Sequence, residues 1–201
     1  MNLPNKITLT RIFMIPVFIL VFFLNDVLPF AFGIAAIIFA VAACTDFVDG
    51  HIARSRGLVT NLGKFLDPIA DKVLVSTALI LLLTLKEYIC FIVGNTWVYA
   101  VVAISICVIM ARELIISAFR QIAAARGLVL AAEKLGKYKT TFQDVSIFVI
   151  LFAVGLFTVD AYKGAEVVLW IGLVLFAVAT VLTVWSGISY VVKNKQVLKD
   201  E

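Results

Sequence analysis

Six long apolar runs divide the chain, and short polar stretches separate them. The first covers about Ile12–Leu24 and continues toward Leu28. The others are Ala31–Phe47, Phe65–Leu85, Trp97–Phe119, Thr141–Val159 and Val167–Val192. A helix needs about 20 mostly apolar residues, with a range near 17–25, to cross a bilayer. Only helices and closed barrels satisfy their own backbone in lipid, and these runs are too long and too uniformly apolar for barrel strands. The pattern predicts an all-α polytopic membrane protein, a six-transmembrane-helix bundle. Ahead of it, Asn2–Arg11 reads as a short N-terminal interfacial helix with Pro4 near its start. Behind it, Lys193–Glu201 reads as a solvated, partly frayed basic tail. One domain is expected over 1–201: a juxtamembrane amphipathic segment (1–11), the bundle (12–192) and the tail (193–201).

The polar stretches alternate in charge. Asn25–Phe30, Lys86–Thr96 and Asp160–Glu166 hold only Lys86 and Lys163 of the 17 lysines and arginines. The other fifteen lie near the N-terminus, around Arg54–Lys72, along Arg112–Lys139 and in the tail. The positive-inside rule then puts both termini, and the 48–64 and 120–140 connections, in the cytoplasm of a cell whose plasma membrane holds the protein. Composition agrees: 63% of residues are hydrophobic, against roughly half in soluble domains. The N-terminus lacks the pattern of a cleavable signal peptide, so the first run reads as a retained span. Cys44, Cys90 and Cys107 show no CxxC spacing and read as small core or lipid-facing residues. The lone His51 reads as a polar interfacial residue. Membrane lipids are expected partners, and nucleic acid is not.

Against this apolar background stands Asp46–Asp71, which holds four of the 13 acidic residues. A carboxylate at the edge of a bilayer is costly and calls for a cation or a reaction. On helices, Asp46 and Asp49 (i, i+3) share a face at the end of the second run. Asp67 and Asp71 (i, i+4) share a face at the start of the third. The two runs should be antiparallel neighbours, so two carboxylate pairs meet across one groove. Such a set cannot ionise fully without positive charge. Two hard divalent cations would supply it, with phosphate and water completing the coordination. Gly50, Gly63 and Ala53 leave room for a ligand against the backbone, and Arg54 suits a phosphate or a carboxylate. As helix caps, only Asp67-Pro68 makes sense, as N-cap and N1. Asp46 and Asp49 would oppose the macrodipole at a helix end. A cation path through a transporter is a second reading, although such paths normally lie near the midplane. A structural scaffold would have no use for the cluster.

The segment reads D-x2-D-G-x2-A-R-x8-G-x3-D-x3-D, with Asp46, Asp49, Gly50, Ala53, Arg54, Gly63, Asp67 and Asp71 at its eight fixed positions. In this it resembles the signature of the CDP-alcohol phosphotransferase family, whose six-helix profile the whole chain also resembles. The resemblance implies that a CDP-linked lipid gives its phosphatidyl group to an alcohol and CMP leaves. It implies that Asp46, Asp49, Asp67 and Asp71 hold two cations, Mg²⁺ or Mn²⁺, and that Asp71 is the base. It further implies that Asp46, Gly50, Ala53, Arg54, Gly63 and Asp67 border the CDP moiety, and that the protein is a homodimer.

The acceptor is written elsewhere. Arg112 falls inside the fourth run, where a charge should face the bundle interior. Glu113 and Arg120 (i, i+7) share a stripe, with Arg112 on an adjoining face. A cationic pocket of this kind suits an acceptor that carries its own phosphate. An internal Arg112–Glu113 pair and ordinary cytoplasmic bases are the plainer reading. The runs R-E-x6-R (Arg112, Glu113, Arg120), K-x-K-T-x2-Q (Lys137, Lys139, Thr140, Gln143) and P-N-x-I-T-x2-R (Pro4, Asn5, Ile7, Thr8, Arg11) resemble bacterial members that use sn-glycerol 3-phosphate. That likeness implies acceptor phosphate near Arg112, Arg120 and Lys137, with Asn5, Thr8 and Arg11 closing the nucleotide site. Arg11 also reads as a simple interfacial anchor. Inositol phosphate and phosphatidylglycerol (as in cardiolipin synthesis) are the alternative acceptors.

Overall fold

The computed structural model describes residues 3–55, 61–126, 128 and 134–198, with backbone only for 3–7, 46–55, 61–68, 71, 134 and 198. Every described element is helical. In chain order they are α1 (Leu3–Phe23), α2 (Ala31–Ser55), α3 (Asn61–Thr84), α4 (Lys86–Val93), α5 (Thr96–Ala125), α6 (Lys134–Thr158) and α7 (Tyr162–Lys193). A 3-10 turn, Lys195–Leu198, follows. Each apolar run predicted from the sequence lies in one helix, to within a residue.

Three helices are long and apolar enough to cross a bilayer: α5, α6 from Leu135, and α7. A fourth span results if α3 from Lys72 and α4 count as one, despite a 60° bend between them. The apolar stretches of the other two helices are shorter among the described residues, Thr8–Phe23 and Ala31–Thr45. Among the described residues the count is therefore three clear spans and at most four, where the sequence predicts six.

The helices outrun the apolar pattern at the charged end. α2 continues through Ser55, α5 through Ala125, and α6 begins at Lys134. Hydropathy marks only the lipid-compatible part of a helix, while charged residues such as Glu, Lys and Arg extend it readily. α1 is one helix from Leu3, so the expected interfacial helix and first run are continuous. α3 starts at Asn61, which puts Asp67 and Pro68 inside the helix rather than at its cap. The predicted connection Lys86–Thr96 contains α4, whose Ile89 is fully buried. Gly94 ends it in the left-handed region at φ 70°, its N–H bonded to Cys90 O. Asn95 then caps α5, its side chain accepting from Trp97 N at 2.8 Å. The start of the tail is packed as well. Val197 is buried against Ile116, Phe119, Ala123 and Tyr190.

The most extensive contact is α6 on α7, followed by α1 on α2 and α2 on α6, while α5 packs on α7. The α6–α7 seam depends on Gly172, where a Cβ would lie 2.8 Å from Ile150 Cγ1. At the weakly charged end, rings link four helices. Phe22 meets Phe32 at 5.0 Å, Phe32 meets Tyr88 at 5.2 Å, and Tyr88 meets Phe157 at 6.1 Å between centroids. Edge-to-face pairs of this kind add about 0.5–1.5 kcal/mol each beyond area burial. Phe32 and Asp46 are fourteen residues apart on α2, or about 20 Å along the axis. The ring cluster thus braces the bundle far from the acidic segment.

The Gly172 contact leads to a prediction. Gly172→Val should overpack the α6–α7 seam and destabilise the detergent-solubilised protein by about 1–3 kcal/mol. Gly164→Ala, on the same helix but with nothing within 4 Å of the added carbon, should change it by less than about 0.5 kcal/mol. Thermal unfolding of the two variants checks both.

Candidate active site

α2 carries Asp46, Asp49, Gly50, Ala53 and Arg54, and α3 carries Gly63, Asp67 and Asp71. Both backbones are helical through these positions, so the i, i+3 and i, i+4 spacings hold, and the two helices are in contact. The side chains of all eight, and that of Asn5, lie outside the described residues. The backbone thus places the four aspartates on two helices that touch, and aspartate oxygens are of the hard type that suits Mg²⁺ or Mn²⁺.

α1 is fastened to the signature helix just before its first aspartate. Arg11 is 1% exposed, and its Nε donates to Thr45 Oγ1 at 3.5 Å. That burial distinguishes it from an interfacial anchor. Thr8, one turn earlier, is buried too.

Two of the basic residues, Arg112 and Lys139, meet at one acid. Arg112 Nη1 donates to Glu113 Oε1 at 3.0 Å, and Lys139 Nζ of α6 donates to the same oxygen. Arg112 Nη2 also reaches Ser186 Oγ on α7 at 3.2 Å. Gly187 makes the approach possible, since a Cβ there would lie 3.1 Å from Arg112 Cγ. Arg120 turns to α7 as well. Its Nε donates to Tyr190 Oη at 3.3 Å, and its guanidinium lies 5.3 Å from that ring's centroid. Arg112 and Arg120 therefore both face α7, one helical turn apart on it, while Glu113 faces α6. The stripe shared by Glu113 and Arg120 splits because the long arginine leans away. Lys137 is exposed on α6 and is not drawn into this group.

A cavity of about 180 Å³ opens between α3, α5 and α6. Its polar wall includes Lys72, Ser76, Glu113, Ser117, Lys139 and Gln143. Lys72 Nζ donates to Ser117 Oγ across it, and Ser117 Oγ donates to Glu113 O at 2.6 Å. Lys139, Gln143 and Ser146 are all buried at i, i+4 and i+7, a polar stripe on the inner face of α6.

A carboxylate quartet on two adjoining helices, with a cation-lined cavity beginning one residue after its last aspartate, suits phosphate chemistry. Comparison with known proteins decides which. The model of the CDP-alcohol phosphatidyltransferase family matches residues 1–185. The chain belongs to that family. It is 38% identical to a CDP-diacylglycerol–glycerol-3-phosphate 3-phosphatidyltransferase of Bacillus subtilis, over 98% of this chain and 97% of the relative. Identity is also 38% to proteins of the same name from Escherichia coli K12 and Shigella flexneri, over 100% of this chain and 98% of each. As a member of the family, the chain is a phosphatidyltransferase, a transferase of phospholipid biosynthesis.

Sequence reasoning selected Lys137 from K-x-K-T-x2-Q, whereas the structure brings Lys139 and Gln143 of that run to the cavity. The signal was there: Lys139, Gln143 and Ser146 have the spacing of one face in an otherwise apolar helix, and Lys137 is off it. Glu113 was read as the partner of Arg112 but not as the acid shared with Lys139.

The shared acid can be tested. Lys139 is 4% exposed, so removing Glu113 strands a buried cation. Glu113→Ala should lower stability by about 2 kcal/mol, the scale of a hydrogen bond to a charged group. Adding Lys139→Met should recover part of the loss, as read from thermal midpoints of the single and double variants.

Proposed function

We propose that the protein transfers the phosphatidyl group of CDP-diacylglycerol to sn-glycerol 3-phosphate, giving phosphatidylglycerol phosphate and CMP. What carries this reading is the full-length identity of 38% to relatives whose name states that reaction. The complete signature between Asp46 and Asp71 supports it from within the chain.

In the proposed reaction, Asp71 takes the proton from the acceptor's hydroxyl. The hydroxyl oxygen bonds to the phosphorus that bears the diacylglycerol. The bond from that phosphorus to the bridging oxygen breaks, and CMP leaves with the oxygen. Asp46, Asp49, Asp67 and Asp71 hold two divalent cations, Mg²⁺ or Mn²⁺, whose charge offsets that of the diphosphate. Asp46, Gly50, Ala53, Arg54, Gly63 and Asp67 border the CDP moiety, with Asn5 and Thr8 of α1 beside it. Arg112, Arg120 and Lys137 attract the acceptor's phosphate.

The membrane arrangement is part of the same proposal. Taking α3 and α4 as one bent span and adding α1 and α2 gives six spans. Both termini and the acidic segment then face the cytoplasm of a bacterial cell, in line with fifteen of 17 basic residues on that side. The working unit is a homodimer.

The test is CMP release by the purified protein from CDP-diacylglycerol with Mg²⁺ or Mn²⁺ and each acceptor in turn. Release is expected with glycerol 3-phosphate. Release only with inositol phosphate or phosphatidylglycerol would move the assignment within the family, and none with any alcohol would sink it. Asp71→Asn should reduce turnover by about 100-fold or more while the protein still folds. Arg112→Ala should raise KM for the acceptor about tenfold, with a much smaller effect on the lipid donor. Equal effects on both substrates would assign Arg112 a structural role.

A further inference from the structure

We infer that Gln143 is a specificity-determining residue that accepts a hydrogen bond from the acceptor's non-reacting hydroxyl. The inference rests on the acceptor reading above and adds to it a residue and an atom.

Gln143 is 2% exposed and lines the cavity between α3, α5 and α6. Its Oε1 is buried and has no hydrogen-bond partner among the described residues. Leaving a buried oxygen unpaired costs about 1–3 kcal/mol, and nine in ten or more buried polar groups avoid it. An exception in a cavity wall points to a ligand. The space is sufficient: about 180 Å³, against the roughly 10–15 Å³ that one water needs.

The atom also says which part of the ligand it meets. An amide oxygen accepts and cannot donate. An ionised phosphate offers only acceptors, so Oε1 is no phosphate site. The neighbouring ammonium groups are engaged, Lys139 with Glu113 and Lys72 with Ser117. Neither ammonium donates to Oε1, and on a small phosphorylated alcohol the available donor is a hydroxyl.

Position identifies which hydroxyl. The α3 wall of the cavity is the stripe Lys72, Val75, Ser76 and Leu79. Asp71, the proposed base, lies four residues or about one turn before Val75. A ligand between this stripe and Gln143 has its reacting hydroxyl toward Asp71. It then has a second hydroxyl for α6, which glycerol 3-phosphate supplies at its central carbon.

The experiment compares glycerol 3-phosphate with 3-hydroxypropyl phosphate, which keeps the phosphate and the primary hydroxyl but lacks the secondary one. CMP release is measured for the wild type and for Gln143→Met, with Gln143→Leu as a second variant if the first fails to fold. Wild-type kcat/KM should favour glycerol 3-phosphate by roughly 10- to 100-fold. In the variant that preference should fall to about threefold or less, through loss on glycerol 3-phosphate, with the analogue's kcat/KM nearly unchanged. A wild type that uses both acceptors equally would overturn the inference without any variant. So would a variant that keeps the wild-type preference. A wild type that uses neither acceptor would remove the acceptor reading itself, and the inference with it.

Discussion

A charge held among apolar helices must find its counter-charge inside the bundle, and one oxygen of Glu113 meets two such charges. Arg112 comes from the preceding position on α5, and Lys139 from α6. Arg112 reaches on to Ser186 of α7. A single carboxylate thus ties three helices at the charged end of the bundle. Much else follows from the tie. It keeps Lys139 on the inner face of α6, where it walls the cavity. It holds the Arg112 stem across Gly187, where no larger residue fits without a shift.

The opposite end is held by another kind of force. There the aromatic rings of α1, α2, α4 and α6 meet edge to face in sequence, and Gly94 and Asn95 turn the chain sharply from α4 into α5. Dispersion and burial need no polar partner, so that end can be dry and rigid. The charged end cannot be, because every ion there must be matched. The division explains why the polar residues of the candidate site crowd one end of long helices whose apolar parts look alike.

How legible these features were in the sequence follows from the physics of each. Apolar runs locate helices because lipid tolerates little else, so all six runs fall in helices. Hydropathy does not register where a helix stops once it leaves the apolar layer, hence the missed extensions to Ser55 and Ala125. It also passed over α4, a short amphipathic helix whose burial depends on neighbours distant in sequence. The acidic segment was legible because its fixed spacings are local. The acceptor end was half legible. Arg112 stood out as a charge deep in an apolar run, but Lys137 and Lys139 differ only in which face of α6 they take. Ser146 at i+7 marks that face, and Arg120's lean toward Tyr190 has no local mark at all.

A pocket meant for a phosphorylated acceptor has to be cationic before the anion arrives. In a low-dielectric bundle, Arg112 and Lys139 alone would repel one another and each would bear an uncompensated desolvation cost. Glu113 lowers that cost without cancelling the pocket's sign, since one carboxylate faces two cations. The balance leaves a net positive charge that is structurally stable when the site is empty. On the proposed function, the arriving phosphate meets cations already oriented by an internal acid, so little rearrangement is needed when it binds. The acidic quartet poses the same problem with opposite sign. On the proposed function, its four carboxylates would take that charge from two bound cations, since α2 and α3 carry only Arg54, Lys64 and Lys72 against the four aspartates. On that reading the two halves of the site differ for one reason: at Glu113 the counter-charge is built into the chain, and at Asp46–Asp71 it would be bound.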